Sequence, residues 1–352
     1  MKALDANLNF LSRIGPENAV LGSVPCVALV HNEMNILSDF LEHYRSLGII
    51  SFLIVDDHSD DGSRDYLLEQ NDVTLFSPRK GSTYTKHKRV WRSELLDSYA
   101  ANLWCLAPDI DEHFVYGNIE NKSLANLIEE LEFEGAEAFH ATMVDMYADK
   151  PLSEHKYAGG GLARSFPLFD DARGYRMLPA PKRFRRQYPT PFLMVFGGMR
   201  ERLFIGTGNQ PTRLQRYLLD RFAGMEGPIN PGPKRRAGAL LTRRMTRNLF
   251  SHEPFTCTKL PLLKWRKGMG FSGGSHAVSA PLKLSSHSGA LLHYKFTRGV
   301  TGLNYIAERG QHAGGAIHYR RILEQRELLN LSPVSTYTTC FTDSASLGLL
   351  VR

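Results

Sequence analysis

The chain of 352 residues lacks several things that would decide its class at once. It has four cysteines, Cys26, Cys105, Cys257 and Cys340, far apart and without C-x-x-C spacing. That pattern argues against a disulfide framework and for a reducing compartment. No apolar run approaches the roughly 18–20 residues that span a bilayer. The N-terminus, "MKALDANLNFLSRIGPENAVLG", has no continuous apolar stretch and does not read as a signal peptide. The expected location is therefore cytoplasmic, at most peripheral at the inner face of a membrane. No internal repeat is visible. The glycine runs at 159–161 and 273–274 lack a strand before and a helix after, so they read as loop hinges rather than a dinucleotide fingerprint.

Acids are scarce in one region. Residues 182–247 hold fifteen Lys/Arg against three acids, Glu201, Asp220 and Glu226, in a chain of net charge +7. Such asymmetry suggests an anionic partner. A nucleic acid is not expected, since no aromatic-interleaved platform or known module accompanies the charge. Peripheral membrane contact through 182–247 is.

What is present is an alternation of strand and helix signals. "CVALV" (26–30), "ISFLIV" (50–55) and "VTLF" (73–76) are short buried-strand runs. Between and after them, residues 33–48, 63–70 and 84–101 carry helical spacing, with Gly48 as a helix stop. "ANLWCLAP" is the next strand, "NKSLANLIEELEFEG" an amphipathic helix, and "AEAFHATMVDMY" another strand. Strands joined through helices predict parallel pairing, hence an open, mostly parallel α/β sheet flanked by helices.

After residue 148 the pattern weakens into Gly-, Pro- and Arg-rich connections, read as an irregular C-terminal acceptor-side region. "GALLHYKF" (289–296) is one more strand, and 302–330 is largely helical with interruptions at Gly310 and Gly314–Gly315. The expected division is an N-terminal extension (1–23), a ligand-binding half (24–148), an acceptor-side half (149–330) and a flexible tail (331–352).

Chemistry is expected where acids end strands. Asp56 and Asp57 close one apolar run, and Asp109 and Asp111 follow another about 50 residues later. In an open parallel sheet, ligands bind at the carboxyl ends of strands. Asp109 and Asp111, at i and i+2, project to one side if the backbone there is extended, a donor pair suited to Mg²⁺ or Mn²⁺. Asp56 and Asp57 would accept from a base or ribose, while Asp60 to Ser63 turn the chain and start a helix. His276, in "SGGSH", is placed to contact an acceptor.

The stretches "VALVHNE", "FLIVDDHSDDGS" and "DIDEHFVY" together resemble glycosyltransferase family 2, nucleotide-sugar transferases of the GT-A fold, in a D-x-D-E subgroup. Later matches are Phe255, Lys259, Pro261, Leu262 and Trp265 in "FTCTKLPLLKW", and "LLHYKF" at 291–296. The resemblance covers roughly residues 24–300, most closely the first 120. It implies a metal-dependent, inverting transfer of a sugar from a UDP- or GDP-sugar to a hydroxyl of a carbohydrate or lipid-linked acceptor. It further implies that Asp57 contacts the nucleobase and that Asn32 and Glu33 line the nucleotide pocket. Asp109 would then lie by ribose and metal, Asp111 would ligate Mn²⁺ or Mg²⁺, and His293 would add a metal or diphosphate contact. Lys86 and Arg89 would reach the nucleotide.

The acceptor-side motif of that family is missing. Candidate bases are therefore Glu201 and Asp145, then Asp170 or Asp171. Two alternatives remain: a non-catalytic protein of the same fold bound to membrane or polysaccharide, and a nucleotidyltransferase. The latter would carry an early Gly-rich phosphate loop, which "VALVHNE" does not supply.

Overall fold

The computed structural model describes residues 8–15, 22–251, 256–310 and 313–352, with backbone alone for 313–315. The first half runs β1 (Leu11–Ile14), β2 (Cys26–Val30), α1 (Met34–Ser46), β3 (Phe52–Asp56), α2 (Ser63–Leu68) and β4 (Val73–Pro78). It continues α3 (Tyr84–Tyr99), β5 (Trp104–Leu106), β6 (Glu112–Val115), α4 (Leu124–Glu134) and β7 (Ala138–Asp145).

Local sequence explains these elements. In α1, Ile36, Leu37, Phe40, Leu41 and Tyr44 recur at helical spacing and are buried. The helix stops at Gly48, whose φ of +87° suits a residue without a Cβ. Helix α4 is capped by the Ser123 hydroxyl, which accepts from the Asn126 N–H, and ends on left-handed Gly135. Strand β3 is buried along its whole length, as expected of a strand covered on both faces.

The second half keeps long irregular connections but carries more regular elements than its composition suggests. It contains α5 (Leu162–Ser165), β8 (Leu168–Asp170), β9 (Tyr175–Pro179), α6 (Lys182–Gln187), β10 (Leu193–Gly197), α7 (Gly198–Phe204), α8 (Arg213–Phe222) and α9 (Pro233–Met245). Then follow β11 (Thr258–Lys264), β12 (Leu284–His293), α10 (Gly299–Arg309), α11 (Ala313–Glu324), α12 (Arg326–Leu329) and β13 (Thr338–Cys340). Strands β9 and β10 pair as an antiparallel ribbon, and Pro233 starts α9, where a missing N–H costs nothing. Gly314 and Gly315 lie inside α11 rather than interrupting it.

The main sheet has nine strands in the order β1-β4-β3-β2-β5-β11-β7-β12-β6. Strands β4, β3, β2, β5, β7 and β12 point one way, and β1, β11 and β6 run against them. The expected mixed α/β sheet with a parallel majority is therefore present. The boundary at 148 does not divide it: β11 and β12 come from beyond that point and bracket β7. Nor is the N-terminal stretch wholly an extension, since β1 pairs with β4 at the sheet edge. The final residues are docked, not a loose tail. Strand β13 pairs with β8, Leu347 and Leu350 are buried, and Arg352 exchanges backbone hydrogen bonds with Ser288. Burial of the two leucines and the strand pairing each contribute against the entropy of ordering such a segment.

Apolar layers cover both faces of the sheet. One holds Phe40, Tyr44, Phe114 and Phe139, the other Trp91, Leu95, Trp265 and Phe271. Among the described residues no helix is long and apolar enough to cross a membrane.

Candidate functional site

The aligned strands β2, β3, β5, β7 and β12 finish at one edge, and Glu33, Asp57, Asp109, Asp145 and His293 lie at or just beyond those ends. Strands β11 and β6 run the other way, so their first residues, including Lys259 and Glu112, reach the same edge. Between β5 and β6 the chain crosses this edge, carrying Asp109 and Asp111.

The backbone at Asp109–Asp111 is a turn, not extended. The Glu112 N–H donates to the Asp109 carbonyl at 3.1 Å, and the Asp109 N–H donates to the Glu112 carboxylate at 2.9 Å. Both aspartates still line one cleft of about 500 Å³, a volume usual for small-molecule sites. Glu33, Arg89, His276 and His293 line it too, as the sequence suggested, together with Tyr84, Lys88, Arg92, Lys259 and Lys295.

Each carboxylate is already matched. Asp109 accepts from Arg92 and, at 2.7 Å, from Lys259, which also lies 2.7 Å from Glu112. Burial would push the Asp109 carboxyl up, but Lys259 and Arg92 outweigh it and hold the group well below the usual range. Asp111 accepts from Lys295 at 3.0 Å, with His293 Nε2 at 3.4 Å. Against burial, Lys295 and His293 depress this carboxyl as well. His293 donates from Nδ1 to Asp145 at 2.7 Å. Burial opposes its charged form, yet Asp111 and Asp145 carry its pKa above the ordinary value.

A divalent ion does not fit this donor set. Asp109 and Asp111 are engaged by two lysines and an arginine. His293 has Nδ1 committed to Asp145, and Asp111 and Asp145 raise its pKa, which works against a neutral, metal-binding nitrogen. Among the described residues no three or more His, Cys, Asp or Glu side chains are grouped to hold a metal. Positive charge is instead built in. With Arg200 matched to Asp145 and Arg298 to Glu33, the lining has Lys88, Arg89, Arg92, Lys259 and Lys295 against Asp109, Asp111 and Glu112, an excess of two among lysines and arginines before His293 is counted. Lys88 makes no ion pair among the described residues and sits 4.8 Å from the Tyr84 ring centroid. Burial, only partly offset by Asp109, lowers its pKa to about 8. Ser272 Oγ and Arg92 Nε have no hydrogen-bond partner among the described residues.

Two further groups face the cleft. Glu33 is 24% exposed, with Arg298 at 3.3 Å, and burial raises its pKa to about 7 despite that arginine. His276 donates from Nδ1 to the Thr258 carbonyl at 2.7 Å, which leaves Nε2 as an acceptor. Burial and then Lys259 lower its pKa to about 3, so it is neutral. Gly274 lets this loop approach: a Cβ there would lie 3.1 Å from Lys259 Nζ and 3.4 Å from Asp109 Oδ2.

Other expected residues are elsewhere. Asp57 pairs with Arg309, and Asn32 donates to Asp60 at 2.6 Å and to the Tyr305 hydroxyl at 2.8 Å. His31 also meets Tyr305, at 2.6 Å. These contacts fasten α10 over the ends of β2 and β3, and neither Asp57 nor Asn32 lines the cleft. Asp56 is buried and accepts from Arg64 at 2.8 Å. Lys86 is exposed and outside the lining.

The expected bases are locked in ion pairs. Glu201 accepts two hydrogen bonds from Arg176, at 2.6 and 3.1 Å. Asp145 is buried between His293 and Arg200, Asp170 accepts from Arg202 and Tyr147, and Asp171 from Arg173. Phe255 lies outside the described residues. The missed cations had faint signals. Lys88 and Arg92 share one face of α3 at i and i+4, and Lys295 stands two residues beyond His293.

No protein-family model matches the chain, and no curated protein does. Among solved structures, a glucose-1-phosphate thymidylyltransferase from Bacillus anthracis in complex with sucrose matches at 11% identity and a TM-score of 0.24. That match covers 38% of this chain and 58% of the other, a likeness too loose to bear on activity.

Proposed function

We propose that the cleft binds a nucleoside-diphosphate sugar and transfers the sugar to a hydroxyl acceptor, as a glycosyltransferase of GT-A type. The observation that carries this reading is the excess of fixed cations gathered around a strand-end aspartate pair at the carboxyl edge of the sheet. Ligands of open α/β sheets settle at that edge, and a diphosphate supplies the two negative charges this set lacks.

In the transfer, an acceptor oxygen bonds to the anomeric carbon while the bond from that carbon to the diphosphate oxygen breaks. Attack from the face opposite the leaving group inverts the centre. Charge on the departing diphosphate is met by Lys88 and by Arg92 and Lys259, the latter two already oriented by Asp109 and Glu112, so little reorganisation is needed there. Asp111 and Asp145 act by holding Lys295 and His293. The hydroxyl proton goes to Glu33, which lines the cleft and whose pKa of about 7 suits a base at neutral pH. His276 Nε2 accepts from a sugar or acceptor hydroxyl. No step is routed through a divalent ion.

Calorimetric titration with UDP- and GDP-sugars tests this, with EDTA and with Mn²⁺ in parallel. Saturable binding of equal strength in both conditions is expected. Failure of every nucleotide sugar to bind would sink the reading, and binding that needs Mn²⁺ would restore a metal site. Product analysis separates the alternatives: transfer from a nucleotide sugar releases a nucleoside diphosphate, nucleotidyl transfer from a nucleoside triphosphate to a sugar phosphate releases pyrophosphate, and a non-catalytic protein releases neither.

A further inference from the structure

Helix α9 is built inside out. Its buried positions are Ala239 and Thr242, and Gly238 packs so closely on α8 that a Cβ there would lie 2.4 Å from the Phe222 ring. Thr242 turns its hydroxyl inward, donating to the Gly238 carbonyl at 2.8 Å. The outward face repeats at helical spacing through Lys234, Ala237, Leu240, Leu241, Arg244 and Met245, all exposed. Leu241 is 50% exposed, Leu240 40% and Met245 41%. Helix α8 adds Leu214 at 55% and Tyr217 at 60%, beside exposed Arg213, Arg216 and Arg221. Five of the chain's exposed large apolar side chains thus share one helical hairpin, where residues 213–247 hold nine Lys/Arg and two acids.

We infer that the α8–α9 hairpin docks on an anionic lipid bilayer, with Leu214, Tyr217, Leu240, Leu241 and Met245 entering the headgroup boundary and the surrounding arginines meeting lipid phosphates. An interfacial helix needs this combination of an apolar face and flanking cations. A second copy of the chain is the poorer occupant, because a two-fold contact would set these arginines against themselves. Nucleic acid would satisfy the charge but leave the leucines and Met245 without a partner.

The basic surface continues toward the cleft. Leu240 and Arg243 share a groove with Lys182, Arg185 and Arg186 of α6 and the residue before it, Pro181. Just beyond α6, the Tyr188 hydroxyl accepts from Arg89 at 3.2 Å, and Arg89 lines the cleft. The docking stands on the hairpin alone and does not depend on the transferase reading.

Co-sedimentation with vesicles of phosphatidylcholine, alone or mixed with phosphatidylserine, tests it. The protein is expected to pellet with the anionic vesicles and to release as salt is raised. The double variant Leu240→Ser/Leu241→Ser should bind about tenfold or more weakly, and Arg244→Gln about fivefold more weakly. These side chains are exposed, so circular dichroism should show both variants folded. Equal binding by the leucine variant would overturn the proposal, as would failure to bind either vesicle. Dimerisation by analytical ultracentrifugation that the leucine variant abolishes would also overturn it, assigning the face to a second copy.

Discussion

The cleft and the α8–α9 hairpin invert each other's chemistry. In the cleft, charges are buried and answered: Lys259 is 1% exposed and bridges Asp109 and Glu112, while Arg200 answers Asp145. On the hairpin, apolar side chains face outward and few acids answer the cations. Burial makes each charged group depend on its partner, so the cleft is costly to disturb. Exposure makes each hairpin side chain nearly neutral for folding, so its cost is available for a surface.

The largest expected effect breaks this comparison at stability. Asp145→Ala removes the buried carboxylate that Arg200 and His293 share and should cost about 3–5 kcal/mol in denaturant unfolding. Leu241→Ser on the hairpin should stay within about 0.5 kcal/mol. Similar losses for the two would erase the distinction. Asp145 also sets an acid limit. Against burial, Arg200 and His293 lower its pKa from 3.8 to about 2. Its contribution is therefore complete above the ordinary value and lost as pH falls through 3.8 toward 2.

The next effect concerns proton transfer in the cleft. Glu33 loses its proton near pH 7 and Lys88 loses its charge near pH 8. Transfer should rise through the first and fall through the second, giving a narrow bell. Glu33→Gln should remove the rising limb and slow transfer by about 10²–10⁴. A smaller change is expected from Lys88→Met, which touches no ion pair and should fold normally. It should weaken donor binding by about 10- to 100-fold and abolish the falling limb. An unaltered profile in Lys88→Met would place the diphosphate elsewhere.

Much of the first half was legible because its pattern is local. The apolar spacing of α1, the cap at Ser123 and the glycines at 48 and 135 each act within a few residues. In the second half the strand near 289 and the helices after 302 were legible too, but the rest was misread because its order is long-range. Strand β11 is a strand through pairing with β5 and β7, more than 100 residues upstream, and β13 through pairing with β8. Proline and glycine in "LPAPKRFRRQYPTPF" and "GMEGPINPGPKRRAG" announced loops, yet they frame β9, α6, β10 and α9.

By itself, the sequence determined which strands alternate with helices, that Asp109 and Asp111 stand beyond a strand end, and that the net excess of basic charge falls in one stretch. These follow from short-range periodicity and composition. Tertiary structure alone decided what those aspartates do. Antiparallel β11 delivers Lys259 to their edge, α3 brings Arg92, and the residue pairing of β12 with β7 sets His293 beside Asp145. The same holds for Asp57, which α10 covers through Arg309. A carboxylate's role is set by the charges that close around it, and those come from elements far away in the chain.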